Sequence, residues 1–135
     1  MRISAKGRYG LAAVISMAQQ YPTGDTITVI SISEKLGISK IYLEQVFSLL
    51  KRGDIVTSIK GAQGGYMLTR SPEQITVYDV LAAIETSLFE KVEETVKEKA
   101  PAIDAAMRLA AFDVLDLSVK ETLEKITISD LVIEA

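Results

Sequence analysis

Apolar residues recur along the first half of the chain at spacings that switch between helical and extended periods, and caps and breakers divide them into short elements. Over residues 5–20, Leu11, Val14, Ile15 and Ala18 keep helical spacing behind Ser4, an available N-cap, and Pro22 closes the segment. An extended stretch at 26–28 leads into a short second helix over 29–36, where Thr28 can cap and Ile32 and Leu36 lie one turn apart. Gly37 breaks the chain, Ser39 can cap again, and a third helix runs to about Arg52 with Leu43, Val46, Phe47 and Leu50 on its inner side. Two helices across a tight glycine turn form a helix-turn-helix pattern. The β-prone run 54–59, a loop with three glycines in 61–65 and a return strand over 66–69 predict a hairpin behind it, a wing.

The second half reads as helices. Thr76 with Asp79 makes a capping pattern for a helix to about Glu85, with Val80, Leu81 and Ile84 inward. Residues 90–99 are dense in charge and read as a linker or a frayed helix. Pro101 suits the first turn of a long helix reaching about Lys125. Along it Ile103, Met107, Ala110, Val114 and Leu117 step by four and three, a heptad seam, while Phe112, Leu115 and Val119 supply a second apolar face. A chain this small can hardly cover both faces. The expectation is a helix packed partly on its own domain and partly on a second copy in a C2 dimer; a helix buried wholly within its own core is the alternative. Thr127 with Asp130 starts a short last helix over 128–134. The expected fold is mainly α with a small β wing. A winged helix-turn-helix domain spans 1–86, a charged linker or effector region 87–100, a long C-terminal dimerisation helix 101–125, and a short C-terminal helix, packing on the first domain, 126–135.

Composition narrows the chemistry more than the fold. The 135 residues contain no His and no Cys, which excludes imidazole and thiolate metal sites, disulfides, Cys nucleophiles and His-based triads. No apolar run is long enough to span a bilayer and no signal-peptide pattern opens the chain, so the expected address is the cytoplasm, with no membrane partner. The net charge of −3 hides an asymmetry: residues 1–70 carry nine Lys/Arg against four Asp/Glu, and residues 71–135 six against fourteen. A basic half is what a chain shows when that half meets a polyanion, though scattered surface charge is the plain alternative.

A helix-turn-helix lays its second helix in the major groove of double-stranded DNA, where the N-terminal residues reach base edges. Here these are Ser39, Lys40, Ile41, Tyr42, Glu44 and Gln45. Glu44 can accept from a cytosine amine, Gln45 can pair with adenine or bond a phosphate, and the Ser39 and Tyr42 hydroxyls suit phosphate oxygens. Each of them taken singly could equally be part of a solvated helix face. Arg2, Lys6 and Arg8 near the first helix, and Lys51, Arg52 and Lys60 near the hairpin, are candidates for phosphate neutralisation, with Gln63, Gly64 and Gly65 at the wing tip. The glycine loop lacks the Lys-Ser/Thr that follows a nucleotide-binding loop and opens no helix, and the carboxylates of the second half show no paired spacing, so an enzyme is not expected.

Three blocks make the pattern specific: Met1-Arg2-Ile3-Ser4-Ala5-Lys6-Gly7-Arg8-Tyr9-Gly10, Ile38-Ser39-Lys40-Ile41-Tyr42-Leu43-Glu44-Gln45 and Ile59-Lys60-Gly61-Ala62-Gln63-Gly64-Gly65-Tyr66. In this order they resemble the Rrf-type winged-helix repressor family that includes the iron–sulfur cluster regulator IscR and the cysteine-metabolism repressor CymR. Ile126-Thr127-Ile128-Ser129-Asp130-Leu131 is similar to that family's closing segment. The resemblance implies a homodimer with crossed long helices that reads a palindromic operator, probed by Ser39, Tyr42, Glu44 and Gln45 and by a wing built on Lys60, Gly64 and Gly65. It also implies a place in cysteine, sulfur or iron–sulfur metabolism.

Three departures stand out. Ile41 stands where the iron–sulfur regulator has a Ser, and Lys60 where family members often have an Arg that enters the minor groove; Lys keeps the charge but not the planar fork. Cluster-binding members carry three Cys and a His in and beside residues 85–108, and this chain has neither residue type, so no iron–sulfur cofactor is expected. That leaves a cluster-free member, or a chain whose Cys were replaced by Ala100 or another local Ala. For a cluster-free member the resemblance implies control by a cysteine-biosynthesis enzyme or a small-molecule effector. The competing function is a winged-helix protein-interaction or ligand-sensing module with no DNA binding of its own.

Overall fold

The boundaries of the first helices are set by hydroxyl caps. Ser4 Oγ accepts from the Gly7 N–H at 3.1 Å and starts α1 (Ala5–Gln19). Thr28 and Ser39 accept from the Ser31 and Tyr42 N–H groups, each at 3.1 Å, and start α2 (Val29–Leu36) and α3 (Lys40–Arg52). Each cap satisfies one of the N–H groups that a helix start leaves unpaired. Gly37, in the left-handed region, closes α2 and makes the turn into α3. The structure, a computed structural model, describes residues 3–61, 64–85, 90 and 96–135.

The wing follows α3. Strands β1 (Val56–Ser58) and β2 (Tyr66–Leu68) pair antiparallel, with Val56 opposite Leu68 and Ser58 opposite Tyr66. A third arm comes from the extended stretch before α2: Ile27 N–H donates to Tyr66 O at 2.9 Å and Tyr66 N–H to Ile27 O at 2.8 Å. Gly65 has a φ of +135°, and a Cβ there would meet Ile27 O at 3.2 Å, so a side chain would press against this third arm. Phe47 of α3 packs on Tyr66 with ring centroids 4.7 Å apart, which ties the wing to the recognition helix.

Leu43, Val46, Phe47 and Leu50 of α3 are fully buried, alongside Val14 of α1, Ile55 before β1 and Val80 of α4 (Val77–Ile84), with Ile84 nearly so. α4 opens on the complete Thr76/Asp79 capping box. It lies close against α1, since a Cβ on Gly10 would fall 2.0 Å from Ile84 Cδ1. Just past α4, the buried Glu85 carboxylate accepts from the Ser4 backbone N–H at 2.8 Å and from the Ser4 hydroxyl.

The long C-terminal helix is a continuous helical run with a change of pitch: α5 (Pro101–Met107), a π turn over Arg108–Phe112, and α6 (Asp113–Glu124). An i→i+5 ring holds one residue more than an α turn, so residues beyond it are set back by about one residue step, ~100°. This splits the heptad stripe expected from the sequence. Val114 and Leu117 rotate out of line with Ile103 and Met107, and Ala110 lies within the π turn. The stripe that does run the whole length is Asp104, Arg108, Phe112, Asp116, Val119 and Leu123, all at least half-covered and turned toward the chain's own domain. Lys120 lies over the Tyr78 ring of α4 at 5.4 Å on that side. Ile103, Leu109, Val114, Leu115 and Leu117 are 56–62% exposed. Leu115, read from the sequence with Phe112 and Val119, is thus turned outward while those two are half-buried.

The chain returns to the first domain at its end. Val77 N–H donates to Ile126 O and Ile128 N–H to Ile75 O, both at 2.8 Å, and α7 (Ile128–Glu134) starts on a second complete capping box, Thr127/Asp130. Ile128 is fully buried in the core of the winged domain.

Candidate nucleic-acid interface

Because α3 spends Leu43, Val46, Phe47 and Leu50 on the core, its other side is mostly polar: Lys40, Glu44, Gln45 and Ser48 are exposed there, with Ile41 among them. Two shallow grooves place this side against its neighbours. One, of about 440 Å³, is lined by Lys6, Ile41, Glu44, Gln45, Ser48 and Leu49 and joins α1 to α3. The other, of about 360 Å³, is lined by Thr28, Val29, Ile30, Lys40, Glu44, Gly65 and Tyr66 and joins α2, α3 and the wing. Glu44 belongs to both. Of the residues singled out in the sequence, Lys6, Lys40, Glu44, Gln45 and Gly65 are therefore brought to one surface.

The remaining candidates are placed differently. Ser39 exposes its side chain, and with its Oγ accepting the Tyr42 N–H it keeps its hydroxyl proton and one lone pair for a ligand. Tyr42 is half-buried, edge-on to Tyr9 with ring centroids 5.4 Å apart, and sets α1 against α3. Arg8 is exposed and donates to Ile3 O at 3.3 Å. Lys60 is exposed at the end of the first wing arm, and Gly64, with φ of +65°, opens the return. Lys51 and Arg52 lie in the last turn of α3, where they complement the helix dipole, roughly 16 Å along the axis from Lys40. Arg2 and Gln63, like most of the 87–100 linker, lie outside the described residues.

The folded chain adds two features to the sequence reading. Lys40 Nζ lies 3.8 Å from the Glu44 carboxylate, with both side chains 54% exposed. An exposed i,i+4 pair stabilises by only about 0.3–0.5 kcal/mol, so it holds the Glu44 carboxylate in place yet yields readily to a better partner. The basic excess of the first half is also smaller at the surface than the residue count implies. Arg70 bonds Asp79 at 3.0 Å and the carbonyls of Asp54 and Gln74, pinning the base of the wing to α4. Lys35 donates to the neutral Gln19 amide at 2.9 Å, which orients its side chain and leaves its charge at the surface. Both contacts join residues distant in the chain, and no local pattern announces them.

Comparison with known proteins gives the same picture. Residues 3–134 match the Rrf2 family, described as iron-dependent transcriptional regulators. The chain is 37% identical over 131 residues to the HTH-type transcriptional regulator CymR of Bacillus subtilis, covering 97% of this chain and 89% of that protein. It is 35% identical over 132 residues to the HTH-type transcriptional regulator IscR of Sodalis glossinidius, covering 98% and 79%. The solved structure of CymR, the global cysteine regulator of B. subtilis, superposes with a TM-score of 0.79 at 32% identity, over 100% of this chain and 98% of that one.

The family description names iron, and the donor set here does not fit an iron–sulfur cluster. Such clusters take thiolate and imidazole ligands, and the chain has no Cys and no His. Among the described residues, no group of three or more carboxylates gathers at metal-binding distance. Among them, too, no helix is long and apolar enough to cross a membrane.

Proposed function

The chain belongs to the Rrf2 family of HTH-type transcriptional regulators, and from that premise we propose that it acts as a cytoplasmic repressor in which two copies bind a palindromic operator without an iron–sulfur cluster. The single observation that carries this reading is the surface on which Lys6, Lys40, Glu44, Gln45 and Gly65 converge from α1, the recognition helix and the wing. α3 enters the major groove by its N-terminal turns. Lys6, Arg8, Lys60 and the Ser39 hydroxyl contact phosphate and fix the register; Glu44 and Gln45 read base edges, Glu44 by accepting from a cytosine amine. A carboxylate facing DNA is repelled by phosphate unless it meets a base donor, so Glu44 contributes discrimination rather than affinity.

The outward side of the long helix supports the dimer. Five large apolar side chains, each more than half exposed, lie along this one helical run. Such a concentration marks an interface. With two copies joined there, two recognition helices face successive major grooves on one side of the duplex with twofold symmetry. Control by a sulfur-metabolism enzyme or a small effector would act through residues 87–100, between the winged domain and that helix.

The test is selection of bound fragments from genomic DNA by the purified protein, repeated across salt concentrations. The expected outcome is one palindromic sequence, bound with an affinity that falls steeply with salt. Enrichment of no sequence at any salt would overturn the reading.

A further inference from the structure

The recognition helix carries one residue out of keeping with the division of α3 into an apolar inner and a polar outer side. Leu43, Val46, Phe47 and Leu50 are fully buried, whereas Ile41 is 72% exposed. Ile41 stands in the first turn of α3, two residues past the Ser39 cap. It shares the outer side with Gln45 and Ser48, at i+4 and i+7, and lines the same groove as Glu44. Among the described residues nothing covers it, and its position is the part of a recognition helix that reaches furthest into the major groove.

An isoleucine side chain has no donor and no acceptor, so it can tell bases apart only by apolar contact. In the major groove the one apolar group that a base pair presents is the C5-methyl of thymine. A G·C pair would instead set an amine and two acceptors against the branched alkyl group and leave them without water or partner. We propose that Ile41 is a specificity-determining residue that selects thymine by packing on its methyl group, at a position next to the base pair read by Glu44. This rests on the DNA-reading role argued above. It assigns the recognition helix two kinds of readout: a carboxylate that accepts from a base amine, and an alkyl group that excludes water from a base methyl.

Deoxyuridine differs from thymidine only by that methyl, which allows a direct test. In the operator obtained by fragment selection, each thymine of a half-site is replaced singly by deoxyuridine, and affinities are measured for the wild-type protein and for Ile41→Ala. The wild type is expected to lose about fourfold at one thymine, the equivalent of one buried methylene, and little elsewhere. Ile41→Ala, which removes the contact in both copies, is expected to bind the unmodified operator more weakly by a similar factor at each half-site and to be indifferent to the methyl at that thymine. Because the side chain lies in solvent, the variant should keep the wild-type unfolding temperature. A wild type insensitive to every replacement, or a sensitivity that persists in Ile41→Ala, overturns the proposal while operator binding stands. Failure of the wild type to bind any fragment overturns it together with the reading on which it rests.

Discussion

Two helices of this chain solve the problem of an apolar stripe in opposite ways. α3 buries Leu43, Val46, Phe47 and Leu50 completely and turns toward solvent a surface that, apart from Ile41, is polar. The helical run from Pro101 to Glu124 has one buried residue among those described, Asp104, and it is a carboxylate. Ile103, Leu109, Val114, Leu115 and Leu117 face outward. α3 is complete within one chain, and what it exposes is available for a polyanion. The long helix is complete only when something apolar covers it, and a helix of its length gains most of its stability from such packing rather than from intrinsic propensity. Reading and assembly are thus separated along the chain, and each can be broken without the other.

The largest effect is expected from the assembly side. Val114, 57% exposed, lies opposite the half-buried stripe of the long helix. Val114→Glu should leave the winged domain folded and place a charge in the proposed interface. Sedimentation should then give the mass of one chain instead of two, and operator affinity should fall by at least ~100-fold, the advantage that linking two half-site contacts confers. A dimer of unchanged stability would show that another surface joins the copies.

Glu85 sharpens the comparison at the junction between the two regions. It follows α4, precedes the linker, and accepts two hydrogen bonds from Ser4 at the start of α1. Glu85→Ala leaves those donors without their acceptor, at a cost of about 1–3 kcal/mol. Thermal unfolding should begin several degrees lower, while Glu85→Gln, which keeps a carbonyl acceptor, should recover most of the loss. Equal stability of the Ala variant and the wild type would mean that water replaces the carboxylate without penalty.

What could be read in the sequence was what is local. Ser4, Thr28, Ser39, Thr76 and Thr127 all cap the helices expected of them, because a cap is decided within four residues. The wing was legible from its glycines, yet its third arm, Ile27 on Tyr66, joins residues that no short pattern links. The same holds for Glu85 on Ser4 and Arg70 on Asp79, which take three charged residues out of the exposed set. The π turn escaped for a different reason. Arg108–Phe112 is sequence that an α-helix accommodates equally well, and the choice of ring size is made by what the two ends must face. Asp104 before the turn, Arg108 and Phe112 at its ends, and Asp116, Val119 and Leu123 after it keep to one side only because one residue is absorbed between them.

On the reading side, Glu44→Ala should leave overall affinity nearly intact and relax the preference at one base pair by about 1–3 kcal/mol, measured with operators substituted position by position. An unchanged preference would leave the Glu44 carboxylate a partner of Lys40 alone.

The smallest expected effect belongs to Lys60, and it separates electrostatic from sequence-specific contact. Lys60 is exposed at the end of the first wing arm. A lysine at a phosphate releases condensed cations when it binds, whatever the base sequence. Lys60→Ala should therefore weaken operator and random DNA alike and reduce the slope of log affinity against log salt by about 0.9 for each copy bound. Glu44→Ala, in contrast, should leave that slope untouched, since no cation is displaced by a carboxylate meeting an amine. If Lys60→Ala instead altered the operator preference at constant slope, the wing would be reading groove shape or base edges, and specificity would extend beyond the recognition helix.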